Sequence, residues 1–124
     1  MADDDDQYHA GALDLVGMLK GNKVISDLVL SESITGVGAR LGQLAGATVF
    51  ENLLYDKTTS VVFVNKRLCE RSLHLYLKFG RKLSFADVVS VRIMYDRKIS
   101  LIVSFDSDFD SVDQVTRISR LPIR

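Results

Sequence analysis

The hydrophobic positions of this chain change period several times, and each change marks an element. In "YHAGALDLVGMLKG", Tyr8, Ala12, Leu15, Val16 and Leu19 fall at helical spacing, with Gly21 as the stop. "KVIS" is too short for anything but a strand, and Ser26 or Asp27 can cap the helix that follows through "LVLSESI". Glycines at 36, 38, 42 and 46 weaken that helix or split it, each costing up to about 1 kcal/mol relative to Ala. "ATVFENLLYDK" reads as a further helix.

"TSVVFVN" is rich in β-branched residues and reads as a strand. Asn65 can cap the helix "KRLCERSLHLYLKF", closed by Gly80, on which Leu68, Ser72, Leu75 and Phe79 share a face. In "SFADVVSVRIMYDR", Ser84 and Asp87 are spaced as a capping box. "SLIVSF" shows almost no polar alternation, which suits a strand buried on both faces, and "VTRI" is a last short strand. Helices that alternate with short apolar strands predict an α/β domain, a three-layer α/β/α sandwich with a mostly parallel sheet. Val61–Val64 and Leu101–Ser104 are its expected buried parallel strands.

Composition narrows this picture. With 124 residues, 47 % of them hydrophobic, the chain suits a single domain with a real core. Sixteen basic and 16 acidic residues cancel, so no whole-molecule field draws in nucleic acid. Any such binding must come from a local patch, and Lys and Arg cluster at 66–98 and 117–124. Cys69 has no partner for a disulfide or a zinc site. "MADDDDQ" is no signal peptide, and no apolar run approaches the ~20 residues of a membrane span. A cytoplasmic location is expected.

Ligands in a parallel sheet bind outside the carboxyl ends of its strands. The burst of acid after "LIVSF" lies at such an end. Three acids stand out: Glu32 among apolar neighbours, Asp87 at a helix start, and Asp106 just past a buried strand, with Phe105 and Phe109 able to anchor its turn. Each also has a plain structural reading, as a solvent-facing residue, a helix cap and an Asx-turn respectively. Converging at ~4 Å, each pair would repel by about 4 kcal/mol at an effective dielectric near 20, so a cation would have to compensate. Oxygen-only ligands select a hard ion, Mg²⁺ or Mn²⁺. Such an ion beside a basic surface is equipment for phosphodiester hydrolysis. His9 and His74 lack a nucleophile nearby, and the glycines match no P-loop or dinucleotide pattern.

"DLVLSES", then "LSFADVVSV", then "LIVSFDSDF" resemble the PIN domain, specifically the VapC-type toxins of prokaryotic toxin–antitoxin pairs. The resemblance runs from about Tyr8 to Ile118. It implies a Mg²⁺-dependent endoribonuclease acting on RNA, a homodimer, and a cognate antitoxin that blocks the site. By motif match Glu32, Asp87 and Asp106 take the catalytic, metal-holding positions, Asp108 a further acid position, and Ser104 that of the supporting hydroxyl residue. The family opens with a strand that ends in aspartate and lies mid-sheet. Here "ADDDDQ" leads directly into "YHAGALDLV", which matches the family's first helix, so that strand and its acid have no counterpart. The sheet is then expected to have an exposed or repaired gap beside Leu101–Ser104. Neighbouring strands could close up, another chain could fill the gap, or the sequence could be a shortened form of a longer protein. The third is the expectation, with a weak or inactive nuclease as its consequence. A catalytically inactive relative that binds RNA or a protein partner is the alternative.

Overall fold

Local side-chain signals set most of the helix starts. In the computed structural model, which describes residues 22–119 and the backbone of 16–19, the Ser26 hydroxyl accepts the Val29 N–H at 3.1 Å. That cap opens helix α1 (Asp27–Leu41). Gly42, at φ 97°, then breaks the path before α2 (Gln43–Tyr55), in a conformation that a side chain disfavours. At Gly46 a Cβ would sit 2.8 Å from the Ile34 carbonyl oxygen, so glycine lets α1 and α2 pack closely. The Asn65 side chain accepts the Leu68 N–H at 2.9 Å and starts α3 (Lys66–Phe79). Ser84 accepts the Asp87 N–H at 3.2 Å and starts α4 (Phe85–Arg97). No helix among the described residues is long and apolar enough to cross a membrane.

The strands are β1 (Val16–Leu19), β2 (Asn22–Ser26), β3 (Thr59–Val62), β4 (Leu101–Val103) and β5 (Thr116–Ile118). They form one sheet in the order β3-β2-β1-β4-β5. β2 pairs parallel with β3, and β4 parallel with β5, while β1 is antiparallel to both β2 and β4. Four strands therefore point one way and the central one points back. The sheet is mostly parallel and the fold is α/β, as the alternation of elements predicts.

The helix expected over Tyr8–Leu19 is corrected by β1. Its residues 8–15 lie outside the described part, but Val16–Leu19 are a strand. The reason is non-local. Facing edges of β2 and β4 would leave rows of buried N–H and C=O groups without partners, at about 1–3 kcal/mol each. Gly17 lies opposite Val24 on one side and Ile102 on the other, so this segment serves both edges. That demand outweighs a helical spacing worth only tenths of a kcal/mol per residue. The gap expected beside Leu101–Ser104 is thus filled by the chain's own residues, an outcome not among the three foreseen.

The helices pair as α1 with α2 and α3 with α4, and α1 and α4 also pack on the sheet. α4 is the most deeply set, with Val88, Val89, Val91 and Met94 buried in one cluster with Ile102 and Val103 of β4. Each such side chain contributes about 1.5–3 kcal/mol on burial. β4 is less enclosed than its composition implies: Ile102 and Val103 are buried, but Leu101 is 37 % exposed. β3 is only half-buried and ends at Val62, short of the expected Val64.

Candidate functional site

β2 and β4 point the same way, so their carboxyl ends, Ser26 and Val103, lie at one end of the sheet. α1 leaves β2 there and carries Glu32 in its second turn. The chain leaving β4 turns through Ser104 and Asp106. Asp87 lies in the first turn of α4.

The turn after β4 is built from its own side chains. Ser104 is buried; its N–H donates to the Ile118 carbonyl at 2.9 Å, and its hydroxyl accepts the Asp106 N–H at 3.0 Å. Asp106 Oδ1 in turn accepts the Asp108 N–H at 2.9 Å and opens a 3-10 turn, Ser107–Ser111. Asp106 is therefore an Asx-turn residue, and one carboxylate oxygen already serves the backbone. Phe109 is fully buried and anchors this turn. Phe105 does not: it is 39 % exposed, because the backbone reverses before reaching the core.

Arg117 was not singled out by sequence, yet it closes the structure beneath the acids. From β5 its Nε donates to Asp110 Oδ1 at 2.9 Å and its Nη2 to Asp110 Oδ2 at 3.2 Å. Its Nη1 reaches the Ser104 carbonyl at 3.2 Å. One guanidinium thus ties the two ends of the segment that carries Asp106 and Asp108. Its hydrogen bonds hold the Asp110 carboxyl below the usual carboxylate range. The only sequence signal was an Arg on the strand following an acid-rich turn, too common a pattern to assign a pair.

The four acids share one electrostatic field. Burial is the main cause that raises the Asp87 pKa, and the charges of Asp106 and Asp108 add to it against hydrogen bonds from Ser84. The Glu32 pKa is also raised, first by lost hydration of its carboxylate and then by the charge of Asp87. Glu32 as a whole residue is exposed, so its desolvation is partial. Among the described residues none of these four acids has a salt-bridge partner. By contrast Asp56 pairs with Lys23 at 3.3 Å, Asp113 with Lys78 at 3.5 Å, and Asp96 with both Arg71 and Arg92.

Shared field is not a finished chelate. Among the described residues no group of three or more His, Cys, Asp or Glu side chains stands close enough to hold a metal ion. Carboxylates with no counter-charge repel, and repulsion favours an arrangement in which they stand apart. What links the predicted residues is the charge of Asp87 acting on Glu32 and those of Asp106 and Asp108 acting on Asp87, with Ser104 as the buried support of the turn.

Three comparisons bear on this arrangement. The family model for the PIN domain matches residues 1–115. Among solved structures, the chain is similar to VapC20 of Mycobacterium tuberculosis, described as a Sarcin-Ricin loop cleaving toxin. The TM-score is 0.66 and the identity 25%, over 73% of this chain and 69% of that one. No curated protein matches the chain.

Proposed function

The chain belongs to the PIN domain family, and from that premise we propose that it is a metal-dependent endoribonuclease, the toxin of a toxin–antitoxin pair. The observation that carries this reading is the set of four acids at one sheet end, linked electrostatically through Asp87, with only Arg117 acting on Asp106 from a distance and no salt bridge to any of the four among the described residues. A fold that gathers so much negative charge against a single nearby guanidinium is suited to a cation. The donors are all carboxylate oxygens, which fit Mg²⁺ or Mn²⁺ and not a thiolate- or imidazole-bound ion. Glu32, Asp87 and Asp106 would hold it, with Asp108 as a further ligand. Mg²⁺ keeps several waters and needs only one or two direct carboxylates, so wider spacing of the acids is compatible with it. The bound ion supplies a Lewis acid that offsets charge gathering on the phosphate during hydrolysis. Ser104 and Arg117 fix the turn that presents Asp106 and Asp108.

RNA as the substrate class is part of this proposal, supported by the likeness to VapC20, described as a Sarcin-Ricin loop cleaving toxin. A cognate antitoxin and a homodimer complete the proposal. An antitoxin Arg or Lys reaching Asp87 or Asp106 would supply the direct salt bridge that neither acid makes among the described residues. For self-association α3 offers Leu73 and Leu77, four residues apart and exposed.

One observation favours the inactive alternative. β1 runs backwards, so its carboxyl end, Leu19, pairs with Asn22 at the start of β2, away from the acids. An acid placed after the central strand could not reach the site. The two readings separate in one assay: incubation of the full chain with a hairpin RNA, in Mg²⁺ and in EDTA. The nuclease reading expects cleavage in Mg²⁺ only, lost by orders of magnitude in Asp106→Asn while the fold is kept. Equal traces for wild type, variant and EDTA control would leave the inactive reading.

A further inference from the structure

We propose that the groove between the end of β3 and the paired helices α3 and α4 is a binding subsite for single-stranded RNA, with Phe63 as a stacking platform and Arg67 and Arg97 as phosphate contacts. This deepens the ribonuclease reading and rests on it for the identity of the ligand. The groove has a volume of about 230 Å³ and is lined by Phe63, Asn65, Arg67, Arg71, Asp96 and Arg97 among others.

Four features argue for a polyanion with flat bases. Phe63 follows β3 directly and is 64 % exposed, a large aromatic face that the core does not use. Arg71 is committed to Asp96 through a two-point pair, whereas Arg67 and Arg97 have no hydrogen-bond or ion-pair partner among the described residues. α3 begins with Lys66 and Arg67 and has no acid in its first turn. A helix N-terminus favours negative charge, so two cations there run against the dipole and favour an anion from outside. Finally the molecule has no net charge, so an RNA-binding surface must be local, and this groove gathers part of the 66–98 basic cluster. Base stacking on an aromatic ring beside guanidinium groups is the usual chemistry of single-strand recognition.

The Phe63 end of the groove lies beside the start of α1, whereas its Arg97 end is ten residues, about 15 Å of helix, beyond Asp87. The Val64 N–H, next to Phe63, donates to Asp27 Oδ1 at 3.0 Å. Asp27 opens α1, and Glu32 stands five residues further, about 7.5 Å along the axis. A strand stacked on Phe63 would therefore run past the start of the helix that carries Glu32.

The test is fluorescence anisotropy of a labelled 2′-O-methyl oligouridylate, which resists cleavage, with the full chain in EDTA over a salt series. Phe63→Ala is expected to weaken binding roughly 5- to 150-fold with the salt slope unchanged. Arg67→Gln with Arg97→Gln is expected to lower the slope of log K against log salt by about 1.4, two phosphate contacts' worth. All three side chains are exposed, and unchanged melting temperatures confirm that the variants are folded. Wild-type binding that these variants leave unaltered, as an acidic peptide groove would give, overturns the subsite while the nuclease reading stands. No binding by wild type also overturns it. Binding lost in the variants, with no cleavage by wild type in Mg²⁺, keeps the subsite and removes the nuclease reading.

Discussion

Asp87 is the residue whose chemistry reports most plainly on the site. Its folded pKa lies above the ordinary value of 3.8, chiefly through burial and further through Asp106 and Asp108. The unfolded chain therefore gives up this proton at lower pH than the folded one. Ionised Asp87 costs stability, and the cost grows as pH rises from about 3.8 through the folded pKa. Asp87→Asn should raise the melting temperature at pH 7 without metal by a few degrees. The gain should vanish below pH 3.8, where both forms are neutral. Thermal scans of the two proteins over pH 3–7 check this. A variant no more stable than wild type at pH 7 would mean that the charge on Asp87 is already compensated. Asp87 was legible in sequence because its cap is local: Ser84 three residues before it fixes both the helix start and the position of the acid. Arg117 was not, since its link to Asp110 and Ser104 exists only once β5 lies beside β4. Phe105 and Phe109 look alike in sequence. The Asx-turn at Asp106 sends one outward and the other into the core.

At the scale of elements, starts and stops were readable wherever a side chain enforces them. Ser26, Asn65 and Ser84 accept N–H groups of their own helices, and Gly42 breaks the α1–α2 path. β1 was not readable, because its cause lies in the unpaired edges of β2 and β4 and not in "VGML" itself. The register gives a direct check. Antiparallel pairing of Gly17 with both Val24 and Ile102 brings their backbones within NMR reach on two sides. Cross-strand NOEs from Gly17 to those residues, and slow amide exchange at Met18, are expected. Met18→Pro should cost about 1–3 kcal/mol for each ladder bond lost, read by urea denaturation. Sequential helical NOEs through residues 16–19 would restore the helical reading and reopen the gap.

For the whole molecule, zero net charge conceals a division of labour. Acids without salt bridges among the described residues gather at the carboxyl ends of β2 and β4, while Arg67 and Arg97, unpaired among the described residues, line the groove by β3. The apolar stripe of α3 adds a third surface, with Leu77 78 % exposed. Self-association through that stripe predicts a dimer in sedimentation at micromolar concentration, converted to monomer by Leu73→Glu with Leu77→Glu. A wild-type monomer at that concentration would assign the stripe to another partner or to none.

The account turns on whether the four acids form one cation site, and a Mn²⁺ titration followed by electron paramagnetic resonance of the free ion asks this without reference to any substrate. Wild type should take up a single Mn²⁺ that Mg²⁺ displaces. Asp106→Asn and Asp87→Asn should each weaken uptake by tenfold or more, about 1.4 kcal/mol, with circular dichroism unchanged. Affinity equal in wild type and both variants, or no uptake by any of them, would contradict the site.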